Sequence, residues 1–99
     1  MKEELLEIIN HYGVNHQQRK LNEEVFELNE AILEYEHFYE HTGKAMTYYN
    51  MPTEHITEEI ADVCVMLREF MVYYNISQDE IAEMMKNKID RQLERISKE

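Results

Sequence analysis

The chain has 99 residues, a length that suits one domain spanning 1–99 with a modest core, which self-association would extend. A hydrophobic content of 43% excludes a disordered chain. The net charge of −11, from 21 acidic against 10 basic residues, excludes a general binder of nucleic-acid polymers, which needs a basic face.

A nucleotide stays compatible with that charge, because bound divalent cations invert the local balance. The lone Cys64, in the run Val63-Cys64-Val65-Met66-Leu67, reads as a small core residue in a reducing compartment. The N-terminus alternates acids with apolar residues and has no signal-peptide pattern. No apolar run approaches the roughly 20 residues of a membrane span. A cytoplasmic protein without a membrane partner is the expectation.

Residues 2–12 predict a short amphipathic helix with Leu5, Leu6, Ile8 and Ile9 apolar, ended by Gly13. Residues 16–40 predict a long helix. On its wheel Leu21, Val25, Leu28, Ile32 and Tyr35 share a stripe, and Phe26 and Leu33 form a second strip nearly opposite. A helix apolar on two sides is packed on two sides. Residues 41–53 hold the one long loop, after which Thr53 is a candidate cap. The next helix runs to about Tyr74 with Ile56, Ile60, Val63, Leu67, Phe70 and Tyr74 as its stripe. Ser77-Gln78-Asp79-Glu80 then matches a capping box and opens a last helix that turns Ile81, Met85, Ile89 and Ile96 inward. No segment alternates long enough to be a strand. The fold class is all-α, a bundle of three or four helices with the two long central ones as neighbours.

Glu24 lies about 60° round from Leu21, at the edge of the apolar stripe, with Glu27 roughly 60° further. Glu59 stands in the same relation to Ile56, and Asp62 lies one step beyond it. Carboxylates at such an edge are rare unless paired or bound to metal. Packed antiparallel, the two helices would aim four carboxylates at one spot. Four such groups cannot all ionise without cations, and hard oxygen ligands in that number select Mg²⁺ or Mn²⁺. The plain alternative is two solvent-exposed acid pairs in a Glu-rich chain. On the last helix, Met84, Lys88, Arg91 and Arg95 fall within about 60° of wheel, beside the apolar stripe. That suggests a phosphate clamp; surface pairing with Glu80, Glu94 or a neighbouring acid is the alternative.

Glu23-Glu24-Val25-Phe26-Glu27 resembles the E-E-x-x-E segment of MazG-like nucleoside triphosphate pyrophosphohydrolases, continuing in Leu28-Asn29-Glu30-Ala31-Ile32. Glu59-Ile60-Ala61-Asp62 resembles their E-x-x-D segment, preceded by Glu58. Lys88-Ile89-Asp90-Arg91 with Arg95 resembles their basic C-terminal helix. The likeness covers about residues 17–96, with a longer connection between Glu27 and Glu59 than is usual.

The resemblance implies a four-helix-type bundle of the all-α NTP pyrophosphatase kind, assembled as a homodimer or homotetramer with sites at subunit contacts. It implies a Mg²⁺-dependent hydrolase that converts a (d)NTP to the (d)NMP and pyrophosphate, a reaction suited to cleaning the nucleotide pool. Glu24, Glu27, Glu59 and Asp62 would hold the metal, assisted by the auxiliary acids Glu23 or Glu58. Glu24 and Glu27 are equal candidates for general base to the attacking water. Lys88, Arg91 and Arg95 would take the outer phosphates. Phosphoribosyl-ATP pyrophosphohydrolases resemble the chain in length, but they carry a His shortly after the E-x-x-D acid, where this chain has Cys64, Val65 and Met66. Dimeric dUTPases share the motifs and are longer.

Other constellations carry less. His37 and His41 are spaced to clip a metal, and Glu34-x-x-His37 matches half of a di-iron carboxylate site whose second E-x-x-H is missing. Tyr48, Tyr49, Tyr73, Tyr74, Phe38 and Phe70 are aromatics that can stack on a base, and Asn75 can read a base edge or end a helix. Two other classes of function compete with the enzyme. One is a non-catalytic helical module that binds a nucleotide or a protein; the other is an oligomerisation domain built on the second apolar strip.

Overall fold

The computed structural model describes residues 1–42 and 53–99, with side chains given for 1–37 and 53–99. Among the described residues it is all-helical: α1 Lys2–Tyr12, α2 Val14–Thr42, α3 Glu54–Tyr73 and α4 Gln78–Ser97. No described helix is long and apolar enough to cross a membrane. The predicted 41–53 loop, with Tyr48 and Tyr49, lies almost wholly outside the described residues.

Gly13 separates the first two helices. Its φ of +93° is a conformation that side chains with a Cβ avoid, and its N–H closes α1 on the Ile9 carbonyl at 2.8 Å. The Gly13 carbonyl then accepts from Gln17 N at 3.0 Å, so α2 starts at Val14, two residues ahead of the sequence-based boundary. At the start of α3, the expected Thr53 side-chain cap does not form. Thr53 sits at φ −90°, ψ 8°, and its carbonyl instead accepts from Thr57 N and Thr57 Oγ1.

The end of α3 is a Schellman motif. Ile76 N bonds Met71 O at 2.8 Å, Asn75 N bonds Val72 O at 3.3 Å, and Asn75 takes the left-handed φ of +56°. Helix termination therefore accounts for Asn75. The capping box is present as expected: Glu80 N donates to Ser77 Oγ and Ser77 N donates to Glu80 Oε1.

Helices α1, α2 and α3 pack on one another, and α4 packs closely on none of them. Three links fix α2 against α3: Gln17 to Glu69, Glu24 facing Glu59, and Glu34 to His55. Residue numbers rise on one helix as they fall on the other, so the pair is antiparallel. The apolar core is Leu5, Ile9, Ala31 and Met66, with Ile9 fully enclosed. Enclosing an isoleucine side chain contributes about 2 kcal/mol, so four such residues make a thin core.

Three expectations about burial are overturned. Met85, Ile89 and Ile96 are not inward but more than half exposed, because α4 has no closely packed neighbour; Ile81 alone is half-buried. Cys64 is exposed rather than a core residue. The buried arc of α3 runs through Met66 and Glu69, so Ile60, Leu67 and Tyr74 of the predicted stripe stay largely exposed. Phe26 and Leu33, the second strip of α2, are also open. The surface totals 8206 Å². A compact chain of this mass exposes about 6000 Å².

Candidate metal centre

The antiparallel pairing of α2 and α3 brings together three of the four predicted acids. One carboxylate oxygen each from Glu24, Glu27 and Glu59 lies within 4.8 Å of the others. Glu24 and Glu27 are three positions apart, so they sit about one turn apart on neighbouring parts of one face of α2. Glu24 is buried, and the Glu59 side chain is only 12% exposed. Glu27 stands at the open rim.

The electrostatics are incomplete. Glu24 Oε1 is 3.4 Å from Lys20 Nζ, and Glu59 Oε1 is 3.4 Å from His55 Nε2. The other oxygen of each, Glu24 Oε2 and Glu59 Oε2, is buried without any hydrogen-bond partner. A buried carboxylate oxygen left unpaired is costly, and two of them on converging carboxylates are more so. A hard divalent cation would satisfy both and would relieve the repulsion, so the residues present fit Mg²⁺ or Mn²⁺. Lys20 answers the acids from above. The hydrogen bond to Glu24, followed by the charges of Glu24 and Glu23, raises its pKa above the ordinary lysine value.

The remaining predicted residues fall in different places. Asp62 is exposed and stands outside the close group, but it shares a cavity with Glu24. Glu23 is exposed, 3.6 Å from Lys20, and Glu58 is exposed on α3. Lys88, Arg91 and Arg95 are exposed on α4, with no ion pair among the described residues. The wheel reading put them beside the core; in the single chain they stand beside an uncovered apolar stripe. His37 is exposed, and the side chains of Phe38 and His41 lie outside those described. Tyr73 and Tyr74 pack edge to face with each other at 5.0 Å.

Several residues here were not singled out in the sequence. His55 bridges Glu34 and Glu59 from one turn before the latter. Lys20 stands one turn before Glu24. Both are i, i+4 pairs that the spacing could have revealed. Gln17 and Glu69 are buried polar residues that bond each other at 2.7 Å. Each lies seven residues from a predicted acid, two turns along the same helix face, and that heptad offset was the available signal.

Comparison with protein-family models, with curated proteins and with solved structures finds no match to this chain.

Proposed function

We propose that this protein is a magnesium-dependent nucleoside triphosphate pyrophosphohydrolase that converts a (d)NTP to the (d)NMP and pyrophosphate. One observation carries the reading: three carboxylates from two helices converge, and two of their oxygens are buried without a partner. The motif order Glu24-x-x-Glu27, Glu59-x-x-Asp62, Lys88-x-x-Arg91, and its likeness to MazG-like enzymes, turns a general cation site into a nucleotide one.

Glu24, Glu27 and Glu59 would hold Mg²⁺, and Asp62 would join them by a side-chain rotation from its exposed position. When bound, the ion supplies positive charge that draws phosphate oxygens to an acidic surface and offsets charge developing during hydrolysis. The protein's own part is positioning. Glu24 is fixed by burial and by Lys20; Glu59 is fixed by His55. Glu27, at the rim, is free to accept a proton from water, and that freedom favours it over Glu24 as general base.

The basic stripe needs a second copy of the chain. Lys88, Arg91 and Arg95 border Met84, Met85, Ile89, Leu93 and Ile96, all exposed. Covering that apolar stripe with the open α2 and α3 faces of another subunit would bring the basic groups to an acid centre, where they would bind the outer phosphates. A homodimer or homotetramer is therefore part of the proposal.

The test is a panel of nucleoside triphosphates with Mg²⁺, assayed for pyrophosphate against orthophosphate. Pyrophosphate release that stops on chelation is the expected result. Orthophosphate alone would mean a different reaction. No turnover of any nucleotide would leave a non-catalytic helical module as the better account.

A further inference from the structure

We infer that the open cavity next to the acids receives the nucleobase, and that it favours a base bearing an exocyclic amine (adenine, cytosine or guanine) over thymine or uracil. The inference rests on the nucleotide reading above. The cavity measures about 460 Å³ and is lined in part by Glu24 and Asp62, so it opens directly onto the acid centre.

Its walls are of two kinds. At one edge the rings of Tyr12 and His16 are stacked, with centroids 5.1 Å apart and planes 18° from parallel. Tyr12 also meets the His11 ring edge-on at 4.8 Å and is 55% exposed, so this aromatic platform stands at the surface, where a further ring can approach. Met66 adds an apolar surface. The floor is polar and enclosed. Gln17 is 5% exposed and Glu69 only 2%. Gln17 Nε2 donates to Glu69 Oε1 at 2.7 Å, and Gln17 Oε1 lies 2.7 Å from His16 Nδ1.

Glu69 is the unusual member. A buried carboxylate offers about four acceptor positions, and here a single neutral amide uses one of them. Lys20 lines the same cavity but pairs with Glu24 and Glu23 rather than with Glu69. Such a carboxylate gains from a ligand that donates. The amino-bearing bases place an N–H₂ group on the edge that enters first. Thymine and uracil instead set two carbonyl oxygens on either side of their one N–H, and those oxygens would face the carboxylate as acceptor against acceptor.

The spacing agrees. Gln17 lies seven residues before Glu24, and Glu69 seven beyond Asp62, so each is about 10 Å along its helix on the same face as the acids. That separation matches the reach from a nucleotide's inner phosphate to the outer edge of its base. Both helices therefore present the acceptor floor at one end of the site and the cation centre at the other.

The experiment uses the full chain and two readouts. The first is kcat and KM for pyrophosphate release from dATP, dCTP, dGTP and dTTP with Mg²⁺. The second is binding of the unphosphorylated nucleosides deoxycytidine and thymidine, followed by shifts in the Tyr12 and His16 ring resonances. Amino-bearing substrates are expected to lead dTTP by about tenfold or more in kcat/KM. Glu69→Gln, whose amide can donate to a carbonyl, should reduce that lead to about twofold through KM, with kcat retained. Tyr12→Ala, at an exposed position that leaves the core alone, should raise KM for every base by about tenfold with kcat retained. Hydrolysis without discrimination between bases, or a lead that survives Glu69→Gln, would overturn the base subsite while leaving the hydrolase reading intact. Deoxycytidine binding at Tyr12 without any hydrolysis would do the reverse. Neither binding nor hydrolysis would overturn both.

Discussion

Lys20 Nζ lies 3.4 Å from Glu24 Oε1, while the second oxygen of the same carboxylate is buried and unpaired. The lysine is thus a partial counter-ion, held one turn away on α2 and reaching only the outer oxygen. Its pKa is raised, first by the hydrogen bond to Glu24 and then by the charges of Glu24 and Glu23. A raised lysine stabilises the fold at pH below the ordinary lysine value, and that contribution is lost as pH climbs through the raised one. A cation on Glu24 weakens the largest causes of the shift and leaves that of Glu23. The Lys20 side-chain titration, followed by NMR, should therefore have a midpoint above the ordinary value without metal and a lower one in saturating Mg²⁺. A midpoint that ignores Mg²⁺ would place any bound ion away from Glu24.

Glu59→Gln separates the role of the charge from the role of the shape. The amide keeps the volume but removes one of three converging negative charges and gives the buried position a donor. Without metal the variant should be more stable than the native chain, by about 1 kcal/mol, because repulsion and an unpaired oxygen are both relieved. Turnover should fall by about 100-fold or more. Mg²⁺ at a hundred times its dissociation constant should stabilise the native protein by about 2.7 kcal/mol and raise its melting temperature, and in the variant that rise should vanish. Near-native activity in this variant would remove Glu59 from the site.

The parts of this fold that depend on local chemistry were legible in the residues. Gly13, the Ser77–Glu80 box and the three-residue spacing of Glu24 and Glu27 each act within one or two turns, and each has its expected place, whereas Asp62 stands outside the group. What depends on packing was not. With apolar residues on two sides of α2, and with Val65 and Met66 beside the stripe of α3, the wheel could not say which side one chain buries. The stripe through Ile60 and Leu67 looked like the core, yet burial follows Met66 and Glu69. The same ambiguity hid Glu69 and Gln17, since a buried glutamine–glutamate bond between helices needs the register before it can be seen. The α4 stripe looked inward because it is apolar, and it is uncovered because no neighbour within the chain reaches it.

Gly13→Ala tests the one position among the described residues that demands glycine. A Cβ at this position would meet nothing within 4 Å, so any cost comes from φ +93° alone. That conformation costs an L-residue roughly 1–2 kcal/mol, partly offset by a less flexible unfolded chain. A net loss of about 1 kcal/mol should lower the melting temperature by about 6 °C. An unchanged melting temperature would mean that the α1–α2 joint relaxes to an ordinary turn.

If the basic groups of α4 complete a site on another subunit, defects in acid and basic residues must complement each other. Glu59→Gln chains lack a working acid centre, and Arg91→Ala chains lack part of the clamp, so each alone should be weakly active. In a mixed dimer one site combines both defects, and the other combines intact acids with an intact clamp. Random mixing should therefore restore about one site in four. The same arrangement makes Ile89→Glu an assembly variant. It puts a charge into the stripe of α4, where Ile89 is 52% exposed in the single chain, and it should shift the protein to monomer in sedimentation and abolish turnover together. A mixture no more active than its parts, with Ile89→Glu still assembled, would confine each site to one chain and leave the basic stripe without a role in it.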